Sequence, residues 1–154
     1  MRSRRRRPSP IAELTDRALV RLYWPVELRP AFDALFAIDD AMGDVVAKAS
    51  EPALAAIKLA WWRERLVELD GAKVPAEPRL QAAAAELLPR GVAGSELASL
   101  EEGWAALLAE KPDPELALKR GDCVFAIGAR LLGVGYSPLM GVGRRYAAGD
   151  LTRR

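Results

Sequence analysis

The amino-acid sequence predicts an all-α fold in a single domain. Of its 154 residues, 51% are apolar, and the abundant alanine and leucine favour helices. Prolines and glycines divide the chain into blocks in which apolar residues recur at helical spacing. No stretch alternates apolar and polar residues over the length of a strand, so we expect no β-sheet. A chain of this length can bury a core of its own.

Each predicted helix is bounded by residues that start or stop helices. Pro25 ends the first helix, Ser50 is expected to cap the third, and Gly71 is expected to end it. Asp113 followed by Pro114 is a strong start for the sixth. The predicted helices cover about residues 11–23, 30–49, 52–70, 79–88, 95–110, 113–132 and 138–154.

Two features of these helices predict how they pack. The second and third helices are joined by only a few residues around Ser50, so we expect them to pack antiparallel. Trp61 and Trp62 on the third helix are expected to be mostly buried. Gly121 and Gly128 share one face of the sixth helix and allow another helix to approach closely. We expect that contact to lie within the chain rather than between subunits.

The charge of the chain is divided unevenly. Residues 1–10 contain five arginines and no acid, whereas the rest of the chain holds 18 basic and 21 acidic side chains. We interpret residues 1–10 as a disordered, solvated arm. Peripheral contact with an anionic membrane surface remains an alternative for it. Nucleic acid is not an expected partner, because no aromatic residues are interleaved with the arginines.

Composition excludes several classes of chemistry. The chain has no histidine, which excludes a histidine-based catalytic triad and an HExxH zinc site. The single Cys123 excludes an internal disulfide and suits a reducing compartment. No apolar run approaches the roughly 18 residues that span a bilayer, and no signal-peptide core follows the arginines, so we expect a cytoplasmic protein.

Three carboxylates share one face of the second helix. On a helical wheel Asp33, Asp40 and Asp44 lie within about 40° of one another, opposite the apolar arc. Such a stripe can hold magnesium ions that also carry phosphate oxygens of a substrate. It is equally where a soluble helix places its solvated charges, and both interpretations stay open at this point.

Asp39 differs from these carboxylates, since it lies inside the apolar arc of the second helix. A carboxylate in that position needs a partner, so we predict that Asp39 is buried and paired with a basic group. Lys58 and Arg65, which share a face of the third helix with Trp62, are the expected partners. The same two cations could instead reach the phosphate of a ligand.

An ordered set of short motifs gives the chain a family resemblance. The motifs are Arg-Pro at 29–30, Ala-Leu-Phe-Ala at 34–37, Leu-Ala-Trp-Trp-Arg at 59–63 and Leu-Leu-Pro-Arg-Gly-Val at 87–92. Over nearly the whole chain they resemble the squalene and phytoene synthase family, in particular its divergent bacterial branch. The resemblance implies an isoprenoid-synthase-like helical bundle around a cavity. It further implies a magnesium cofactor and the condensation of two prenyl diphosphates, with loss of diphosphate.

The resemblance also implies roles for individual residues. The residues implied for magnesium are Asp40 and Asp44. Those implied for the substrate diphosphate are Lys58, Arg63 and Arg65. Those implied for the cavity wall are Phe36, Trp62, Cys123 and Gly128.

The chain departs from the family pattern at both acidic motifs. Aligned through the Phe-Ala-Ile that precedes the first motif, Asp40 falls where active synthases have an arginine. The two outer aspartates of that motif fall on Gly43 and Ala47, and Asp44 is in place. Asp40 and Asp44 restore the same spacing earlier on the helix, either as a displaced site or by coincidence. Arg154 stands where the first aspartate of the second motif would lie, so we expect the C-terminal part of the domain to be missing.

Two hypotheses follow. The first is a magnesium-dependent prenyltransferase of isoprenoid biosynthesis that is weakly active or inactive as this chain. The second is a pseudoenzyme, a non-catalytic binding or assembly protein on the same scaffold, similar to relatives that help assemble respiratory complex I. Its partner would be a protein. One acidic cluster without an opposing cluster cannot clamp diphosphate through several metal ions, and the displaced first motif favours the second hypothesis.

Overall fold

A computed structural model describes residues 16–135 and 141–152, and all regular structure in these two ranges is helical. The all-α prediction is therefore confirmed for this part of the chain. The α-helices are α1 Asp16–Arg21, α2 Arg29–Ala47, α3 Pro52–Glu68, α4 Pro78–Glu86, α5 Gly94–Ala98, α6 Leu100–Ala105, α7 Pro114–Leu131 and α8 Val142–Leu151. The arm predicted at residues 1–10, and the predictions for residues 11–15, Pro138 and Arg154, lie outside the described residues.

Proline and aspartate start the long helices, as predicted. Pro30 and Pro52 lie in the first turns of α2 and α3. The Asp113 carboxylate caps α7 by accepting hydrogen bonds from the first backbone amides of that helix, at 2.9 and 3.3 Å. The predicted cap at Ser50 is wrong, because Pro52 holds the residue before it in extended backbone and thereby makes Glu51 the boundary residue.

The predicted fifth helix over residues 95–110 is wrong in its extent. Two short helices, α5 and α6, lie there and are separated at Ser99. The Ser99 hydroxyl donates to the Glu96 carbonyl oxygen at 2.6 Å, and the Ser99 amide donates to the same oxygen at 3.2 Å. A serine that bonds its own backbone in this way competes with the regular helical pattern. The chain therefore turns at Ser99, and α6 ends at Ala105.

α2 contacts α3, α4, α6 and α7, so it lies at the centre of the helices. The predicted contact between α2 and α3 is confirmed. The largest fully buried side chains of the common core are Leu35, Ile38, Met42, Leu59, Leu66, Leu69, Leu80, Leu87, Leu97, Leu100, Trp104 and Ile127. None of the described helices is both long and apolar enough to cross a membrane.

The two tryptophans of α3 have different surroundings. Trp62 is buried, as predicted, but Trp61 is 42% exposed, so the prediction is wrong for Trp61. α3 directs Ala55, Leu59, Trp62 and Leu66 into the core, and Trp61 lies about 100° around the helix from Trp62. The Trp61 ring packs edge-to-face on the Trp62 ring, with 5.2 Å between the ring centroids.

α7 and α8 pack backbone against backbone. A Cβ atom at Gly121 would overlap the carbonyl group of Gly143, and a Cβ atom at Gly143 would overlap the backbone of Gly121. The close helix approach predicted at Gly121 is thus confirmed as a contact within the chain. Gly128 instead faces Phe32 of α2, whose ring would lie 3.3 Å from an added Cβ atom. The crossing at Gly121 sets α8 directly against α7.

Candidate functional site

Asp39 lies at the centre of the helices and has no solvent exposure. Its Oδ1 atom accepts a hydrogen bond from Nε1 of Trp104 on α6 at 3.0 Å. Its Oδ2 atom pairs with the guanidinium group of Arg120 on α7. The same atom accepts a 3.4 Å hydrogen bond from the hydroxyl of Tyr146 on α8. The predicted burial of Asp39 and its pairing with a basic group are confirmed.

Arg120 joins two buried carboxylates. One amino group of its guanidinium pairs with Asp39, and the other donates to Oδ2 of Asp150 on α8 at 3.3 Å. The guanidinium carbon also lies 3.9 Å from the ring centroid of Trp104, a cation–π contact. The positive charge of Arg120 is therefore balanced by neighbouring groups of the protein itself. We call Asp39, Trp104, Arg120, Tyr146 and Asp150 the buried ion cluster.

The hydroxyl of Tyr146 links the buried ion cluster to α1. It accepts a hydrogen bond from Nη2 of Arg17 at 2.8 Å and donates to Asp39. Burial, reinforced by the negative charge of Asp39, raises the pKa of Tyr146 above its ordinary value. The phenol therefore stays protonated and able to donate. Arg17 also pairs with Asp40 and lies over the ring of Phe36, 4.6 Å from its centroid.

The partners predicted for Asp39 are wrong. Lys58 is exposed on α3, and Arg65 pairs with Glu68 at 3.0 Å. The reason is the orientation of α3, whose apolar side chains occupy the core-facing side, so that both cations project from its flank. The central position beside Asp39 is taken by Arg120 of α7.

The acidic stripe of α2 is paired with cations of the chain. The ion pairs are Asp33 with Arg21 at 2.7 Å, Asp40 with Arg17, and Asp44 with Lys48 at 3.0 Å. In the two described ranges, no group of three or more metal-ligating side chains is arranged to hold an ion. The assignment of magnesium to Asp40 and Asp44 stays a prediction, and a metal ion there would compete with Arg17 and Lys48 for these carboxylates.

The cations predicted to bind diphosphate do not converge. Arg63 lies 3.8 Å from Glu101 of α6, on the opposite flank of α3 from Lys58 and Arg65. Arg65 is paired along its own helix, whereas Lys58 is exposed. Their role in binding diphosphate stays a prediction.

The residues predicted to line a cavity, Phe36, Trp62, Cys123 and Gly128, pack against protein side chains. The Phe36 ring lies 5.9 Å from the Tyr146 ring, edge to face. The Sγ atom of Cys123 lies 3.4 Å from the hydroxyl of Ser99, and burial raises the pKa of the Cys123 thiol. Phe36 therefore packs on the buried ion cluster, Cys123 contacts Ser99, and Gly128 faces α2. The cavity-wall assignment stays a prediction.

Four members of the buried ion cluster were not predicted from the sequence. Arg120 lies between Ala117 and Val124 in the buried row of α7, so the wheel argument that singled out Asp39 applies equally to it. Asp150 likewise follows buried Ala147 by three residues on α8. An acid and a base inside apolar arcs indicate a buried ion pair.

No family model, curated protein or solved structure matches this chain. The resemblance to squalene and phytoene synthases therefore remains an interpretation of the short motifs quoted above. The helices of the described residues confirm only the all-α class, and the isoprenoid-synthase-like arrangement stays a prediction.

Proposed function

We propose that this chain is a non-catalytic helical protein that binds a protein partner through the outer face of α3. The observation that carries the proposal is an apolar stripe formed by Leu54, Ile57 and Trp61, which are 42–67% exposed. Their spacing of three and four residues places them side by side along the helix. Exposed apolar patches on helices of this kind are typical of interaction surfaces.

The Trp61 side chain of the α3 stripe is preorganised for binding. The Trp61 ring rests edge-to-face on buried Trp62, so its orientation is held before a partner arrives. Less side-chain entropy is lost when such a residue becomes buried in an interface. Tryptophan is also among the residues that contribute most to protein–protein binding.

The charges near the α3 stripe favour a protein partner over a membrane. Lys58 lies near the stripe, and so do Glu64 and Glu68, which lie 3.7 and 3.0 Å from Arg65 of the same helix. Two cations and two carboxylates thus surround the stripe, without the excess of basic residues typical of helices that bind an anionic lipid surface, and protein interfaces commonly have such a mixed polar rim.

The buried ion cluster supports the non-catalytic part of the proposal. Catalytic cations and carboxylates must be able to contact substrate, but Arg120 and Asp39 form an ion pair with each other inside the core. In the competing hypothesis, a magnesium-dependent prenyltransferase, metal ions would compete with Arg17 and Lys48 for Asp40 and Asp44.

Site-specific photocrosslinking in the producing cells tests the binding surface. A photoreactive amino acid replacing Ile57 is expected to form a discrete adduct with one protein, whereas the same group replacing Val74, an exposed residue outside α3, is not. The adduct at position 57 should disappear when Trp61→Glu is added, because a carboxylate cannot enter an apolar interface without cost.

Circular dichroism and thermal melting should show that Trp61→Glu leaves the fold intact, since Trp61 lies outside the core. Equal adducts at positions 57 and 74, or adducts with lipid in place of protein, would overturn the proposed partner class. An adduct at position 57 that survives Trp61→Glu would show that the α3 stripe is not the contact surface.

A further inference from the structure

α1 is held to the rest of the chain by arginines. Arg21 donates three hydrogen bonds to the Asp33 carboxylate of α2, at 2.7–3.0 Å, and the two side chains form an ion pair. Arg17 pairs with Asp40 of α2 and donates to the hydroxyl of Tyr146 on α8. These side chains are between a third and a half exposed, apart from Tyr146, which is more deeply placed.

The larger apolar residues of this segment face away from the core. Leu19 and Val20 of α1 are about half exposed, and Leu22 and Tyr23, which follow it, are more exposed still. Burial of apolar surface therefore adds little to the attachment of α1. A helix of six residues is also marginal without tertiary contacts.

The segment just after α1 is anchored differently. Trp24 stacks on Phe32 and Phe36 of α2, with ring centroids 4.5 and 5.6 Å apart. The side chain of Arg29 donates to the carbonyl oxygens of Leu22 and Trp24 at 3.0 and 3.2 Å. The attachment thus changes from ionic to aromatic between Arg21 and Trp24, and this is where a pivot would lie.

We infer that α1 is an ionic strap, which detaches from α2 about the Trp24 anchor while the remaining helices stay folded. Partly exposed ion pairs are weakened by salt, and elements with few apolar contacts open at lower free energy than the core. Detachment uncovers Asp33, Asp40 and the Tyr146 hydroxyl on one face. This inference is independent of the α3 stripe and of the partner proposed for it.

Hydrogen exchange measured by mass spectrometry on the full chain tests the strap. The amides of Leu22, Tyr23 and Trp24 donate to carbonyl oxygens of residues 19–21, so their exchange reports whether the end of α1 is folded. Raising NaCl from about 0.05 M to about 0.5 M, which shortens the Debye length to a few ångströms, should speed their exchange by about fivefold. Exchange of the buried α7 amides around Val124 should not change.

A charge swap identifies the ion pair responsible. Arg21→Asp and Asp33→Arg should each speed exchange of the amides of residues 22–24, because each change places like charges opposite one another. The double variant should restore slow exchange, because it re-forms an ion pair with the charges reversed. Arg130→Asp is the matched control, since it disrupts an exposed pair with Glu96 far from α1 along the chain; it should leave the segment unchanged.

Exchange in this segment that is insensitive to salt and to Arg21→Asp would overturn the inference. The same would follow if α7 responded to salt as strongly as the α1 segment, or if the double variant failed to recover the slow exchange.

Discussion

Arg120→Ala is expected to lower the free energy of unfolding by about 3–5 kcal/mol. The change leaves the carboxylates of Asp39 and Asp150 inside the protein without the guanidinium that now joins them. It also removes the cation–π contact with Trp104. Urea denaturation followed by circular dichroism would measure the loss.

Arg130→Ala on the same helix is the matched control for Arg120→Ala. Arg130 forms an ion pair with Glu96 at 2.6 Å, but its side chain is 48% exposed, so its removal should cost less than about 1 kcal/mol. The double variant Asp39→Asn/Arg120→Met should lose less stability than the summed losses of Asp39→Asn alone and Arg120→Met alone, because both single changes remove the same ion pair. Equal losses for Arg120→Ala and Arg130→Ala would contradict the assignment of Arg120 as the centre of the buried ion cluster.

Gly121→Ala is expected to destabilise the fold by about 2–3 kcal/mol, although alanine is the better helix former by about 1 kcal/mol. The added methyl group would overlap the carbonyl group of Gly143, and backbone cannot move aside as a flexible side chain can. α8 would have to separate from α7, which would also pull Tyr146 and Asp150 away from Arg120.

Gly71→Ala provides the comparison for Gly121→Ala. An added Cβ atom at Gly71 would meet no atom within 4 Å, so this change should be close to neutral or slightly stabilising. A gain in stability for Gly121→Ala in the same denaturation experiment would show that α7 and α8 do not cross at that residue.

The sequence predicted the long helices well because their boundaries are set by local chemistry. Pro30, Pro52 and the Asp113–Pro114 pair act within one helical turn, and α2, α3 and α7 begin where these residues require. The break at Ser99 was missed because the same serine can sit in a helix or bond its own backbone. Propensity alone does not decide between these two states.

The buried position of Asp39 followed from the helical wheel, whereas its partner did not. Arg120 lies 81 residues further along the chain, and the contact depends on where α7 packs rather than on any local pattern. The error at Trp61 has a related cause. Residues 52–62 of α3 are apolar on nearly every side, so periodicity cannot tell the core face of that helix from its outer face.

The residues assigned to magnesium and diphosphate rested on helical spacing and on a resemblance, and neither reveals partners supplied by the same chain. Arg17 of α1 pairs with Asp40, and Lys48 pairs with Asp44 one turn further along α2. Both cations are visible in the sequence, but the position of α1 against α2 is a tertiary feature.

Calorimetric titration of farnesyl diphosphate, with and without magnesium, tests the proposal that the chain is non-catalytic, because a prenyltransferase would need magnesium-dependent binding of diphosphate. The wild-type chain and the Asp40→Asn/Asp44→Asn double variant would be compared after circular dichroism has shown that both are folded. We expect weak binding that magnesium does not tighten in either protein, because two carboxylates paired with Arg17 and Lys48 offer too few ligands for the ion. A magnesium-dependent gain of about tenfold or more, or about 1.4 kcal/mol, that is lost in the double variant would contradict the claim and favour the prenyltransferase.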